Sequence, residues 1–331
     1  MAINRRTLLV SSGLLGSGLA APAVWGQPRN PTWPRALTMG TAAPGGTYAI
    51  YGPAWGQLVQ AATGVNISYR TTQGPNQNIV LLQTRQIELG MVTMGVALQA
   101  WEGTGEWTQG NRFRDIRALF PMYDTPFHAV ALARSGISDH SQLNGRSVGV
   151  GPRGGTPGTY YPLILRTLGV TPSAIRFASA SDLTGQLADG LLDCFCFAAG
   201  APIPSFSEIE TSQQVRIFGF TDAQAETITK AMPELSKGTI PAGTYRSVPG
   251  PMTIVGMFNF AVCHRSLPED LVYEIVKAVM TQNAAMVQAV AAARETVPEN
   301  VGKNSFLPFH PGAARWFREN GHRIPDNLVA A

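Results

Sequence analysis

The chain has 331 residues with 25 Lys and Arg against 21 Asp and Glu, a formal net charge of +4 that no run of basic residues concentrates, so nucleic acid is not an expected partner. Charged residues make up 14% where about 25% is usual, and 44% of residues are hydrophobic, which excludes an intrinsically disordered protein. Gly (35) and Pro (24) are frequent, so the fold is expected to be rich in turns.

The first element is an export signal. Asn4-Arg5-Arg6-Thr7-Leu8-Leu9 supplies a twin-arginine n-region and an apolar stretch runs from Leu8 to about Ala20, too short for a membrane span. Cleavage is expected near Ala23 or Gly26, so residues 1–26 are read as a signal peptide and the mature protein as periplasmic. The arginine pair favours the twin-arginine route, with the general secretory route as the alternative. Removal takes away Arg5 and Arg6 and no acid, lowering the formal charge from +4 to +2. The remaining residues exceed one comfortable core, and two lobes are expected on size.

After a lead containing Pro28, Pro31 and Pro34, β and α patterns alternate. Ala36 to Thr41 reads as a strand, Gly45-Gly46-Thr47-Tyr48 as a glycine loop, and Ile50 to Thr63 as a helix. Val65–Thr71 and Glu88–Met94 are further strands, with helices over Asn76–Thr84 and from Val96 to Trp101. Ala118–Tyr123 and Phe127–Ala133 form two extended stretches broken at Asp124-Thr125-Pro126, because proline cannot donate to a ladder; a crossing between lobes is expected there.

The second half repeats the scheme. Strand-like Ser147–Gly151 is followed by Gly154-Gly155-Thr156-Pro157-Gly158-Thr159-Tyr160 and a helix-like run from Tyr161 to Leu168. Each copy therefore runs strand, glycine loop, helix start, an arrangement that aims backbone N–H groups and a positive helix-dipole end at one point. Further strands are expected over Ile175–Ala178, Asp193–Phe197 and Val215–Phe218, with helical segments between, and a return crossing over Met252–Val262. Glu269–Gln282 carries Leu271, Ile275 and Val279 at four-residue spacing, and alanine-rich Asn283–Arg294 continues as helix. Cys194, Cys196 and Cys263 lie in strand-like runs and read as buried thiols without a disulfide.

Catalytic and cofactor motifs fail on context. Gly149-Val150-Gly151-Pro152-Arg153-Gly154 fits G-x-G-x-x-G, but the next strand ends Phe177-Ala178-Ser179 with no acid for a ribose. Gly145-Arg146-Ser147-Val148-Gly149 fits G-x-S-x-G, but Ser147 begins a strand instead of occupying the turn into a helix. His128, His140, His264, His310 and His322 are scattered, so no metal is expected; Asp182, Asp189 and Asp193 read as cap and loop positions. No cofactor is implied, and the chain reads as a receptor, not an enzyme.

The residues that carry a family resemblance are Thr41-Ala42-Ala43-Pro44-Gly45-Gly46-Thr47-Tyr48, Thr72-Gln73-Gly74-Pro75-Asn76-Gln77-Asn78, Ile87-Glu88-Leu89-Gly90 and Leu143 to Gly151. Gly154-Gly155-Thr156, Ala199-Gly200-Ala201-Pro202, Pro241-Ala242-Gly243-Thr244-Tyr245 and Leu267 to Tyr273 complete them. In this order and spacing, from about Leu37 to about His322, the chain resembles the TAXI subgroup of solute-binding proteins of tripartite ATP-independent periplasmic (TRAP) transporters.

The resemblance implies a two-lobed type II periplasmic-binding-protein fold, each lobe a mostly parallel sheet flanked by helices. It places lobe 1 at residues 27–126 plus 257–331 and lobe 2 at 127–256, with crossings near 124–130 and 252–260. Such a receptor closes on a small organic acid or amino acid and delivers it to an ion-gradient-driven TRAP-type permease. By position the ligand loops fall on Thr41, Gly45, Gly46, Thr47 and Tyr48, on Gln73 to Asn76, on Thr93 and Met94, on Arg153, Gly154, Gly155 and Thr156, and around Ala199 and Gly200.

Two positions depart from the family pattern. Thr93-Met94-Gly95 is less polar than usual, and Arg153 stands where a small uncharged residue is usual. The Arg153 guanidinium would either take a carboxylate in two-point fashion or face water at the rim. Thr47 and Thr156 could cap their helices, and Tyr245 is either a cleft wall or a half-buried aromatic. Besides transport, a signalling receptor of the same fold and an extracytoplasmic hydrolase remain as alternatives.

Overall fold

The computed structural model describes residues 30–329; the export signal expected over residues 1–26 lies outside them. Strand β1 (Ala36–Gly40) turns Leu37 and Met39 inward and leads through the first glycine loop into α1 (Tyr48–Thr63), which buries Tyr51, Trp55 and Val59 at four-residue spacing. Strand β2 (Asn66–Arg70), α2 (Pro75–Gln83), β3 (Leu89–Thr93) and α3 (Met94–Glu102) follow. Pro75 opens α2, where a missing N–H costs no hydrogen bond. β2 and β3 flank β1 in parallel, and the interior strand β3 is buried throughout.

Strand β4 runs unbroken over 17 residues, Ile116–Leu132, and corrects the expected interruption at Asp124-Thr125-Pro126. The proline is accommodated because the ladder changes partner there. Phe127 is at once the last residue paired with the returning strand, at Val255, and the first paired with the second-half sheet, at Ala198. The two N–H groups before the proline are engaged elsewhere: Asp124 N–H donates to Glu295 Oε2 (2.6 Å) and Thr125 N–H to Asp124 Oδ1 (2.9 Å).

The second half contains β5 (Ser147–Gly149), α4 (Thr156–Thr167), β6 (Ala174–Arg176), α5 (Ala180–Ala188), β7 (Cys194–Ala198), α6 (Pro204–Ser212), β8 (Val215–Phe218), α7 (Asp222–Ala231) and β9 (Ser236–Ile240). The apolar strand β10 (Met252–His264) returns to the first half, where α8 (Glu269–Met280), α9 (Asn283–Ala289) and α10 (Pro311–Glu319) complete the fold. Alanine-rich 283–294 is not one helix: Val290 is extended at φ −153° with its side chain buried, and Ala291–Glu295 forms a 3-10 turn. Asn283 Nδ2 ties the fold-back by donating to the carbonyls of Ala293 (2.7 Å) and Thr296 (2.9 Å).

One ten-stranded sheet results, in the order β2-β1-β3-β10-β4-β7-β5-β6, with β8 on β4 and β9 on β10. Pairing is parallel at the two ends and antiparallel where β4 and β10 pass through the middle. The three cysteines are buried and free; Cys194 and Cys196 hold their sulfurs 3.9 Å apart without a bond. Among the described residues no helix is long and apolar enough to cross a membrane.

Candidate functional site

A cavity of about 50 Å³ lies where the parallel strands end and the chain turns into helices. Five helices reach it with their N-terminal ends: α1 with Thr47 and Tyr48, α2 with Gly74 and Pro75, α3 with its cap Thr93, α4 with Gly155 and Thr156, and α5 with Ala180. First-turn N–H groups have no intrahelical acceptor, and each such end carries a partial positive charge. Among the described residues that line the cavity none has an acidic or basic side chain to offset this backbone field.

The crossing strands supply the floor. Tyr48 donates its hydroxyl proton to Asn259 Oδ1 (2.5 Å), and Asn259 Nδ2 donates to the Tyr123 carbonyl (2.7 Å) and to Thr125 Oγ1. Burial raises the hydroxyl pKa values of Tyr48 and Tyr123 well above the ordinary one, so both stay protonated donors. The Tyr123 side chain walls the cavity at 1% exposure, and its hydroxyl has no hydrogen-bond partner among the described residues.

Hydrogen bonds sew the two sides of the cavity together. Thr47 Oγ1 donates to the Gly200 carbonyl (2.9 Å), the Thr93 and Thr156 hydroxyls pair at 2.9 Å, and Gly154 N–H donates to Gln73 Oε1 (3.1 Å). Asn76 reaches across twice, with its N–H to the Gly154 carbonyl (3.2 Å) and its Nδ2 to Thr159 Oγ1 (3.1 Å). This approach demands glycine at two points. Gly45 has φ +85° and a Cβ there would sit 2.6 Å from Ser181 N; Gly74 has φ +131° and a Cβ would sit 2.9 Å from Gly155 Cα.

Of the residues expected at the ligand loops, Gly46, Thr47, Tyr48, Gln73, Thr93, Gly155, Thr156 and Ala199 line the cavity. Gly45, Asn76, Gly154 and Gly200 stand behind them in the bonds just described or, for Gly45, through its carbonyl, which accepts from Ser205 N–H (3.3 Å). Thr41 is also one layer back: its hydroxyl donates to the Arg70 carbonyl (3.2 Å) and its carbonyl accepts from Asn78 Nδ2 (3.1 Å). Met94 is buried at the start of α3 and does not line the cavity. Neither threonine hydroxyl caps a helix, since both bond across the cleft.

Arg153 and Tyr245, each left with two readings, do not line the cavity. Arg153 points away from the cavity: it is exposed, its guanidinium lies 3.8 Å above the Phe177 ring, and it borders a separate groove of about 470 Å³ with Gln99, Trp107 and Arg166. Tyr245 is no cleft wall. It is 1% exposed in the second-half core, where its hydroxyl donates to His128 Nε2 (2.7 Å) and accepts from Ile203 N–H (2.8 Å). Burial lowers the His128 pKa to about 3, which keeps that imidazole neutral with its Nδ1–H on the Pro126 carbonyl (3.1 Å). Tyr245 thereby holds the end of the Ala199–Pro202 segment from behind.

Tyr123, Thr125, Asn259 and Phe197 were not anticipated at the cavity. Asn259 did carry a signal, as the one amide in the apolar run Met252–Val262. Ser147 starts β5 as expected, with its hydroxyl donated to Asp193 Oδ2 (2.7 Å). Among the described residues no group of three or more His, Cys, Asp or Glu could hold a metal.

A mixed sheet flanked by helices, with helix N-termini gathered at the carboxyl ends of its strands, defines the α/β fold of periplasmic binding proteins. Residues 39–321 match the NMT1-like family, and the chain belongs to that family. Among solved structures it is similar to the periplasmic binding protein BugD, at 12% identity and TM-score 0.57 over 87% of this chain and 99% of that one. A periplasmic transporter is similar at 13% identity and TM-score 0.53, over 86% and 92% of the two chains. An ancestral arginine-binding protein bound to arginine is similar at 13% identity and TM-score 0.50, over 78% and 97%. At these identities the likeness is one of fold.

Proposed function

We propose that this protein is an extracytoplasmic solute receptor of the TAXI subgroup, which captures a small carboxylate-bearing solute in the cavity and hands it to an ion-gradient-driven TRAP-type permease. The observation that carries the reading is the gathering of five helix N-termini on one cavity without a charged side chain. Each end stabilises an anion by about 0.3–1 kcal/mol, and more where water is excluded. The polar side chains of the cavity are hydroxyls and amides, most of them bonded to one another or to backbone groups, a set that binds and orients without performing acid–base or nucleophilic work.

In this reading residues 27–126 with 257–331 form one lobe and 127–256 the other. The partner changes of β4 at Phe127 and of β10 near Gly256 support hinges within 124–130 and 252–260. The cross-cavity bonds of Thr47, Thr93 and Asn76 would then be made on closure and broken on opening. The signal expected over residues 1–26 would deliver the protein to the periplasm, and the residues quoted for the TAXI resemblance support the permease assignment.

Binding to the native state stabilises it by RT ln(1 + [L]/Kd), about 2.7 kcal/mol at a hundredfold excess over Kd, and so raises the melting temperature. A panel of small mono- and dicarboxylates, with and without amino groups, is expected to contain at least one member giving a concentration-dependent rise. A panel without any rise and without calorimetric heat refutes the receptor reading.

A further inference from the structure

We infer that the cavity selects a short carboxylate that bears no amino group, an inference that rests on the receptor reading above. The ground is what the cavity has left to offer. Most of its side-chain hydrogen-bonding groups are committed: Thr47 to the Gly200 carbonyl, Tyr48 to Asn259, Thr93 to Thr156, Asn259 to the Tyr123 carbonyl and Thr125, and Gln73 Oε1 to Gly154 N–H. What remains for a solute is a pair of backbone donors, the N–H groups of Tyr48 at the start of α1 and of Thr156 at the start of α4, because those of Ala49 and Ile50 are taken by the Gly46 and Thr47 carbonyls and Pro157 has none.

Donors suit a carboxylate, which only accepts. They do nothing for an ammonium, which only donates and needs a negative partner when it leaves water. The cavity residues include no Asp or Glu to supply that partner, and the same helix ends that attract an anion repel a cation. Hydroxyl oxygens could each accept one N–H, yet none would neutralise the charge. The rest of the wall is apolar, with Ala42, Ala43, Phe197, Ala198 and Ala199, which fits a hydrocarbon body. A volume of about 50 Å³ has room for roughly four water-sized groups, so the body is short.

The test is titration calorimetry of the purified protein with matched pairs, propionate against alanine and butyrate against 2-aminobutyrate, together with propionamide as a neutral isostere and succinate and glutamate as longer acids. The acids without an amino group are expected to bind about tenfold or more tighter than their amino partners, because a site lacking the partner for a buried polar group rejects it strongly. Propionamide is expected to bind at least as weakly as alanine. Equal or tighter binding of the amino acids overturns the inference and leaves the receptor reading standing. Binding of succinate or glutamate alone overturns the short body while keeping a carboxylate receptor. If propionamide equals propionate, or if nothing in the set binds, the anion cavity itself is refuted and the inference falls with it.

Discussion

Asp124 shows how the position of one carboxyl group sets its behaviour. It lies in the crossing strand β4, and its pKa is raised from 3.8 to about 6, first by burial and then by the neighbouring Glu295 carboxylate. The folded chain therefore holds a proton that the unfolded chain releases between about pH 4 and pH 6. The stability this proton confers is present below that window and is lost as the pH rises through about 6. Asp124→Asn keeps an oxygen for Thr125 N–H and removes the charge. The variant is expected to exceed the parent in stability by about 1–3 kcal/mol at about pH 8, with a smaller difference at about pH 4. Urea midpoints at the two pH values measure this, and an unchanged difference would show that the carboxyl is not desolvated. Residues at this level were only partly legible in the sequence. Glycine and threonine at helix starts announce themselves by spacing, whereas the direction of Arg153 depends on the Phe177 ring beneath it, which lies in a different segment. Tyr245 likewise is decided by His128, far away in the chain.

The helices that open at the cavity are the parts that do the work, and their starts were the most readable elements of the chain. Strand, glycine pair and helix pattern recur in both halves, and the observed β1–α1 and β5–α4 units begin within a few residues of the expected places. The break expected at Pro126 was wrong because a proline can sit inside a long strand at the point where the ladder changes neighbours, a fact of pairing that local sequence does not encode. Thr47→Val keeps the shape of the side chain and leaves the Gly200 carbonyl without its donor. In the closed form the loss amounts to about 1–3 kcal/mol, so the affinity for the carboxylate identified by calorimetry is expected to fall roughly five- to a hundredfold. The melting temperature without solute falls less if the open form predominates there. An unchanged affinity would show that the Thr47–Gly200 bond is not made in the bound state.

For the molecule entire, the alternation of strands and helices was enough to announce parallel sheets and two halves. It could not show that β4 and β10 knit those halves into one sheet, nor that Tyr123, Thr125 and Asn259 on the crossing strands floor the cavity. Crossing strands are buried on both faces, so their sequences read as apolar runs in which a binding position carries little local mark. The family match spans residues 39–321 and so takes in both glycine loops and both crossing strands. A crystal structure grown with a saturating short carboxylate decides where the anion goes. Its oxygens are expected about 2.7–3.2 Å from the amide nitrogens of Tyr48 and Thr156, at the starts of α1 and α4. A carboxylate seated instead on Arg153 and Arg166 in the outer groove, with none between the helix ends, would contradict the anion cavity.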